Sequence, residues 1–551
     1  MVWLLALLLL CPAIVPAQVA GSDTIQVTSR IVYVDVVVRD RAGQIVRGLT
    51  EKDFRIIEDG RSQKIAYFTD HTHDVAAQSA AQPALDPLEF SNVGSIANSA
   101  NIILFDFYNT APQDQLYARK QMIRFLQALP PGRQTALFVL GTHLQMLQSF
   151  TGSTDRLVAA AKEMSIGTST VETTGGKQQD SDMVASFAAA VGRSASGQNP
   201  VQQGFLWANG EDAQRAADIT RTALDQIAAA VSGYPGRKNL YWLSDTFPLY
   251  GGPTLEINDL SNAISTNQMS TQDMADANRK EANAQIAIYP ISLIGVDASG
   301  MGAEGSGMTS AMQLFTARAA MREMMNNIAD ATGGHAYYGT NDFAGALRKG
   351  FEDGSSYYSL AYEPQNKKWN GQFRSIAVKL AARGYSLSYR RGYYAQPDEP
   401  GNTNNGLELD AALQPDTPEI TTLRLRGRIE LPDKGHSAVR VDSSIDPGGV
   451  DFLTDAGGRH HAKLLVSLIA LTDGTKVRPK KPLTPVQSSG VYEVNLDSAG
   501  FRKLFATGMP MHLELQLAPG SYRLRLGVSD MNNHHLGTLD MPVVIAATAH
   551  S

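Results

Sequence analysis

The residues best placed to do chemistry lie in Asn101 to Thr110, NIILFDFYNT. An apolar run from Ile102 to Phe105 ends in Asp106. Tyr108, Asn109 and Thr110 then supply two hydroxyls and an amide before a helix opens at Pro112. A buried strand delivering a carboxylate and hydroxyls to a sheet edge is the usual build of a ligand or metal site in α/β proteins. The same residue types also have a structural use, because Asp and Thr are good N-cap residues for the helix that follows. Both readings are open at this level.

The other chemically capable residues read more simply. His71/His73, His460/His461 and His534/His535 fall in expected loops and lack a third partner at zinc-ligand spacing. Asp53, Glu58 and Asp59 form an acidic group that turn and capping roles explain. Met308, Met312, Met321, Met324 and Met325 are spaced for packing one helix into a core. The pairs Tyr357-Tyr358 and Tyr393-Tyr394 read as half-buried strand residues. No GxSxG, HExxH, P-loop or CxxC occurs in a fitting context, so nothing here points to an enzyme.

Positioning the Asp106 loop requires a sheet, and the chain supplies the pattern for one. Strands are expected at 102–105, 135–140, 144–150 (an edge hairpin), 240–243, 286–294 and 335–338. Helices are expected at 112–129, with Leu116, Ile123 and Leu126 on its apolar face, and at 155–164, 213–231, 318–332 and 343–351. Two more helices are expected near 183–191 and 271–284. This alternation predicts a doubly wound, mostly parallel sheet with helices on both faces.

Before it, residues 24–73 read as a β-rich module. Val32, Val34, Val36 and Val38 recur with period two, Thr50 caps a short turn with Asp53, and a hairpin crosses Asp59-Gly60 to Lys64–Phe68. Residues 74–97 read as a linker. After the α/β block, 353–395 reads as a β extension, 396–417 as a second linker, and 418–548 as a β-sandwich without helices.

The bulk numbers agree with a folded protein of about three domains. The chain has 551 residues, 43% hydrophobic and 19% charged, with a net charge of -6. That mild charge argues against a nucleic-acid binder, which would carry a basic stripe. Residues 1–17 read as a signal peptide, with Val15 and Ala17 at the small-residue cleavage positions. Cleavage there would remove Cys11, the sole cysteine, and no later stretch is apolar enough to span a bilayer.

NIILFDFYNT together with GRKNLYWLSD resembles a von Willebrand factor type A domain, and more closely the VWFA-related group of bacterial secreted proteins. VVVRDRAGQIVRGLTEKDFRIIEDGRSQKI, TALFVLGTHLQMLQSFTGSTDRL, FRSIAVKLAARGYSLSYRRGYYA and APGSYRLRLGVSDMNNHHLGTLDMPVVI are similar to that group's other segments, in order. The resemblance implies a VWA-like α/β domain at 98–352 and a C-terminal β-domain, which the turn spacing reads as an immunoglobulin-like sandwich. It also implies a metal-ion-dependent adhesion site at the carboxyl ends of the strands, whose first motif is Asp-x-Ser-x-Ser. Asp106 matches its aspartate and Thr110 its second Ser, while Tyr108 stands where the first Ser belongs. Asn109 could offer an oxygen from a rearranged loop. Asp245 matches the aspartate after the fourth strand. Thr168, Thr170, Thr173 and Thr174 all compete for the middle-loop threonine.

The expectation is thus an exported protein (periplasmic, cell-surface or secreted), non-enzymatic, binding a protein partner through the loops around Asp106 and Asp245. Mg²⁺ or Ca²⁺ on Asp106, Thr110 and Asp245 would mediate the contact. The alternatives are a structural envelope protein without metal, or a metal-assisted hydrolase using Asp106 or Asp245.

Overall fold

The computed structural model describes residues 31–72, 88–92, 99–110, 112–129, 132–163, 211–234, 236–248, 285–294, 308–395, 405–415, 417–432, 438–455, 457–472, 486–533 and 535–546. The expected leader, the helices near 183–191 and 271–284, the four candidate middle-loop threonines, His73 and His534 lie outside these residues.

The α/β domain is built on β6 (Ser99–Asp106), β7 (Thr135–Leu140), β8 (Leu144–Thr151), β9 (Arg237–Ser244) and β10 (Ile286–Ser292). Their order is β10-β9-β6-β7-β8, parallel except for the hairpin edge β8. A parallel bridge from Ile291 to Tyr337 adds a sixth position, where a full strand over 335–338 was expected. Counted within the domain, this is the doubly wound order 3-2-1-4-5-6, whose ligand crevice lies beside the first strand.

Strand alternation divides the apolar residues between two faces. Ile102, Leu104, Leu240 and Trp242 join a core under α3 (Glu211–Val231) and α4 (Met308–Thr332), which contributes Met325 and Ile328. Ile103, Phe105, Tyr241 and Leu243 join a second core under α1 (Pro112–Ala128), α2 (Thr154–Glu163) and α5 (Phe343–Ser355). Each such buried side chain stabilises by about 1.5–3 kcal/mol. Helix α4 stops where Gly333 takes φ +82 and the N–H groups of Gly333 and Gly334 return to Ala329 O. Asp342 caps α5 by accepting from Gly345 N at 2.8 Å. Leu116 departs from the expected apolar face of α1, being 62% exposed.

The segments expected as separate modules at 24–73 and 353–395 pair strand to strand. One sheet has the order β13-β1-β11-β4, from β1 (Val32–Arg39), β4 (Ile65–Asp70), β11 (Tyr358–Tyr362) and β13 (Ser386–Ser388). The other has the order β14-β12-β2-β3, from β2 (Phe54–Glu58), β3 (Arg61–Gln63), β12 (Phe373–Leu380) and β14 (Gly392–Tyr394). They share a core of Val34, Val36, Ile56, Leu360 and Val378.

The hairpin expectation needs a correction. Asp59 and Gly60 do form the turn, at φ +45 and +80, but its short register pairs Glu58 with Arg61, and Ile65–Asp70 crosses to the other sheet. Tyr357, Tyr358, Tyr393 and Tyr394 are buried, not half-buried.

In the C-terminal region, β5 (Glu89–Ser91), β15 (Leu425–Glu430), β16 (Val439–Ile445) and β20 (Met509–Leu515) form one antiparallel sheet. The second holds β17 (Leu453–Thr454), β18 (His460–Thr472), β19 (Val486–Leu496), β21 (Gly520–Asp530) and β22 (Leu536–Ile545). Both face one core containing Leu425, Val441, Leu464, Leu526 and Met541.

Three expectations fail here for lack of a local signal. The first linker contributes β5, which pairs with β15. The second contains α6 (Asn405–Ala412), which seats Leu409 and Leu413 on Ile469 and Leu536. A further helix, α7 (Ser498–Thr507), is capped by Asp497 onto Gly500 N.

Candidate functional site

Asp106 ends β6 at the point where the strand order reverses, and its carboxylate is fully buried. Asn109 N donates to Oδ1 at 3.0 Å. Asn109 Nδ2 and Trp242 Nε1 donate to Oδ2 at 2.8 and 3.0 Å, and Ser244 Oγ lies 3.4 Å from it. Burial raises the Asp106 pKa to about 6, and these four contacts work against that rise.

Period two explains part of the assembly. Leu104 pairs with Trp242 across β6 and β9, so Asp106, Trp242 and Ser244 share one face of the sheet. Asn109 bridges further, its Nδ2 also donating to Thr220 Oγ1 on α3 at 2.9 Å. Its carbonyl oxygen accepts from Thr246 N at 3.3 Å and from Ser244 Oγ at 3.4 Å, which ties the loop after β6 to the loop after β9.

The remaining loop residues take other roles. Tyr108 N donates to Leu140 O at 3.0 Å, and the Tyr108 ring packs against the α3/α4 core. Phe107 packs on the opposite face, 4.6 Å from the Phe105 ring. Gln115 Nε2 holds the loop through Phe107 O and Thr110 O at 3.2 and 2.9 Å. Thr110 is buried and its Oγ1 has no hydrogen-bond partner. Neither Asp106 nor Thr110 caps α1, because the carboxylate is engaged by Asn109, Trp242 and Ser244 and the hydroxyl by nothing. Asp245 is buried at the end of β9 and shares no hydrogen bond with Asp106 or Thr110.

A hard divalent cation needs oxygen lone pairs turned to one centre. Here both Asp106 oxygens accept from N–H donors, Asn109 turns its amide N–H₂ inward, and the half-buried Tyr108 ring packs against the core, while Thr110 Oγ1 has no partner. Among the described residues, no three His, Cys, Asp or Glu side chains converge to hold a metal. As placed, Asp106 is turned to these donors and not to a centre shared with Thr110 and Asp245. A cation would have to strip Asp106 from the buried Trp242 N–H, and an unsatisfied buried donor costs about 1–3 kcal/mol. The Ser244 hydroxyl, 3.4 Å from Asp106 Oδ2, is held on Thr246 O at 2.6 Å.

Sequence reasoning weighed Asn109 but missed Trp242, Ser244 and Thr220. The signal for the first two was available in the shared strand parity. For Thr220 there was none, since it comes from a helix 111 residues away.

The other singled-out residues resolve structurally. Asp53 forms the capping box with Thr50. Glu58 is no turn residue: it is buried, accepting from Tyr362 and Tyr393 hydroxyls at 2.6 and 3.0 Å, with Arg374 at 3.7 Å. Asp59 accepts from Ser375 N at 2.9 Å. His460 and His461 lie on β18, not in a loop; His460 stacks 3.9 Å from Phe501 and His461 Nε2 is 2.7 Å from Asp455.

No family model and no curated protein matches the chain. Among solved structures it is similar to a von Willebrand factor type A protein from Catenulispora acidiphila, at 10% identity and TM-score 0.23, over 90% of this chain and 74% of that one. It is similar to an aerotolerance-related membrane protein from Bacteroides fragilis NCTC 9343, at 10% identity and TM-score 0.25, over 47% and 98%. Proximal thread matrix protein 1 from the mussel byssus, solved with a zinc-occupied MIDAS motif, matches at 10% identity and TM-score 0.23, over 46% of each chain. Overlaps this slight carry no argument about function. Among the described residues, no helix is long and apolar enough to cross a membrane.

Proposed function

We propose that this von Willebrand factor type A-like α/β domain is the binding module of an exported, non-enzymatic envelope protein. It engages a protein partner at the carboxyl ends of β6 and β9 without a divalent cation. The observation that carries the reading is the Asp106 carboxylate, whose Oδ2 is held by Asn109 Nδ2 and Trp242 Nε1 and whose Oδ1 accepts from Asn109 N. Asp106, Thr110 and Asp245 then shape the loops instead of presenting a metal to the partner.

What remains for recognition is apolar. Leu116 and Tyr117, at 62% and 44% exposed, lie early on α1, just after the Asp106 loop. Exposed aromatic and aliphatic anchors of this kind supply most of the energy in protein interfaces. The paired sheets before and after the α/β domain, and the C-terminal sheets, which we read as an immunoglobulin-like module, serve as spacers or secondary surfaces.

The test is capture of partners from the native envelope fraction, with and without chelator, beside calorimetry with Mg²⁺, Mn²⁺ and Ca²⁺. The expected result is capture that survives chelator and is lost in Leu116→Asp, with no heat from any of the three ions. Release by chelator, or Mg²⁺ binding that Asp106→Ala removes, would overturn the metal-free reading.

A further inference from the structure

Helix α3 touches both the Asp106 loop and the C-terminal sheets. Midway along it, the buried Thr220 Oγ1 accepts from Asn109 Nδ2 at 2.9 Å, and the same amide holds Asp106 Oδ2 at 2.8 Å. Its last turn meets residues 420–424, which are sewn to β22. Ile420 N donates to Thr538 Oγ1 at 2.8 Å, and Thr538 N and Leu423 N donate to Ile420 O and Leu536 O at 2.9 and 3.1 Å.

The last carbonyls of a helix have no partner within it and must find one outside. In α3 they find Thr421. Thr421 N donates to Ala229 O at 3.2 Å and Thr421 Oγ1 to Ala230 O at 2.8 Å, while the same hydroxyl accepts from Gly233 N at 3.0 Å. Arg424 Nε donates to Gly233 O at 3.1 Å, and the Ser232 and Thr422 hydroxyls lie 2.9 Å apart. The approach is close enough to require glycine, because a Cβ on Gly233 would stand 2.0 Å from Thr421 O. The buried Asn92 reinforces the seat: its Nδ2 donates to Ile420 O and Leu423 O at 3.0 and 2.9 Å, and its carbonyl oxygen accepts from Tyr234 OH at 3.4 Å.

Small side chains make up much of the face that α3 lays on the sheet. Ala217, Ala223, Ala228 and Ala230 are buried beside Leu224, Ile227 and Val231. Alanines form low ridges that interlock shallowly, and sliding of packed helices is a common conformational change. The polar contacts at Thr220 and at the last turn, about 14 Å apart along the axis, take a correspondingly larger share in fixing where α3 sits lengthwise.

We propose that α3 is a strut through which the C-terminal sheets set the order of the Asp106 loop. With Thr421 seated on the last turn, α3 holds Thr220 where it receives Asn109, and Asn109 closes the loop on Asp106 and Thr246. When Thr421 leaves, α3 loses its cap, Thr220 withdraws and the loop loosens. Linkage makes the effect reciprocal: whatever fixes the Asn109 loop favours the seated C-terminal sheets by the same factor. The coupling concerns the order of the loop and holds whether or not that loop engages a partner.

The experiment is amide hydrogen exchange on the full chain, read at Asn109 and Thr246, whose N–H groups donate to Asp106 Oδ1 and Asn109 O. The ladder amides of β6 and β7 serve as controls. Thr421→Val keeps the shape and removes the hydroxyl. It should speed exchange at both loop amides by about ten-fold, the loss of one hydrogen bond, and leave the controls unmoved. Thr421→Ser keeps the hydroxyl and should stay near wild type. Thr220→Val should loosen the loop by a similar factor, and adding Thr421→Val to it should do nothing more, because the strut is already cut. Arg424→Met, at an exposed position, drops the bond to Gly233 O and carries the test if Thr421→Val folds poorly. Unchanged loop exchange in Thr421→Val or Arg424→Met while the Gly233 amide quickens would overturn the proposal. So would threonine effects that add in full, since apolar packing alone would then fix α3.

Discussion

The two ends of strand β9 show two ways of managing buried charge. At its carboxyl end the Asp106 carboxylate is met by neutral donors from Asn109 and Trp242, with the Ser244 hydroxyl 3.4 Å away. At its amino end the buried Arg237 guanidinium is met by neutral acceptors, Asn239, Tyr289 and Gly333, and lies over the Tyr357 ring. At the carboxyl end the Asp106 carboxylate is tied into the fold, while the buried Thr110 hydroxyl beside it has no hydrogen-bond partner. The amino end sets a buried guanidinium beside a small cavity lined by Tyr33, Asp35, Gln285 and Arg390. In this chain the carboxylate expected to bind a ligand is the one held by the fold. Residue types alone do not mark a site; a binding site needs groups left wanting.

The comparison breaks most easily at Asp106. Asp106→Ala strands the Trp242 and Asn109 donors in a buried pocket, at about 1–3 kcal/mol for each unsatisfied group. Urea unfolding of the variant should show a loss of about 4 kcal/mol, the largest single-site effect at either end. A loss under about 1 kcal/mol would mean that solvent reaches these donors and that the carboxyl end is not closed.

How much of this was legible follows from the distance over which each feature is written. The run from Ile102 to Asp106 announces a buried strand ending in a carboxylate, because all its determinants are contiguous. Trp242 and Ser244 were readable only in part: parity puts them on one face, but the face that meets Asp106 depends on a register set by 135 intervening residues. The amino-end cavity was not readable at all. Asp35 reaches it from β1, whose pairing of Val32 with Tyr362 joins residues more than 300 apart, and Arg390 from an isolated bridge to Thr332, with no local pattern to signal either. Glu58 shows the reverse case. In FRIIE, Phe54, Ile56 and Glu58 share one strand face, so period two already placed the carboxylate inward, against its reading as a turn residue.

The next effect belongs to the amino end. Burial lowers the Lys238 pKa from 10.5 to about 8, with Asp35 opposing and Arg424 adding to the fall. Between those values the unfolded chain holds more protons than the folded one, so stability rises with pH across that window, by up to about 3 kcal/mol. Lys238→Met keeps the apolar stem and removes the charge. At pH 7 it should gain about 2 kcal/mol, by the same linkage, and flatten the rise between pH 8 and 10.5. Melting curves over pH 7 to 11 check both. A variant that loses stability at pH 7 would show that the ammonium has a compensating partner and that the two ends are not opposites.

The smallest effect is the sharpest test of saturation at the carboxyl end. Trp242→Phe keeps the ring in the core beside Phe247 but deletes one N–H donor to Asp106. If the carboxylate is over-provided, the Asn109 donors that remain hold it, and the variant should lose only about 1 kcal/mol. Because the Trp242 bond holds the Asp106 pKa down against burial, its removal should move that pKa further above about 6, visible by infrared titration of the carboxylate stretch. A large stability loss with no movement of the carboxylate titration would place the role of Trp242 in packing alone. The donor shell around Asp106 would then be narrower than its four contacts indicate, and room for a ligand at that end would have to be reconsidered.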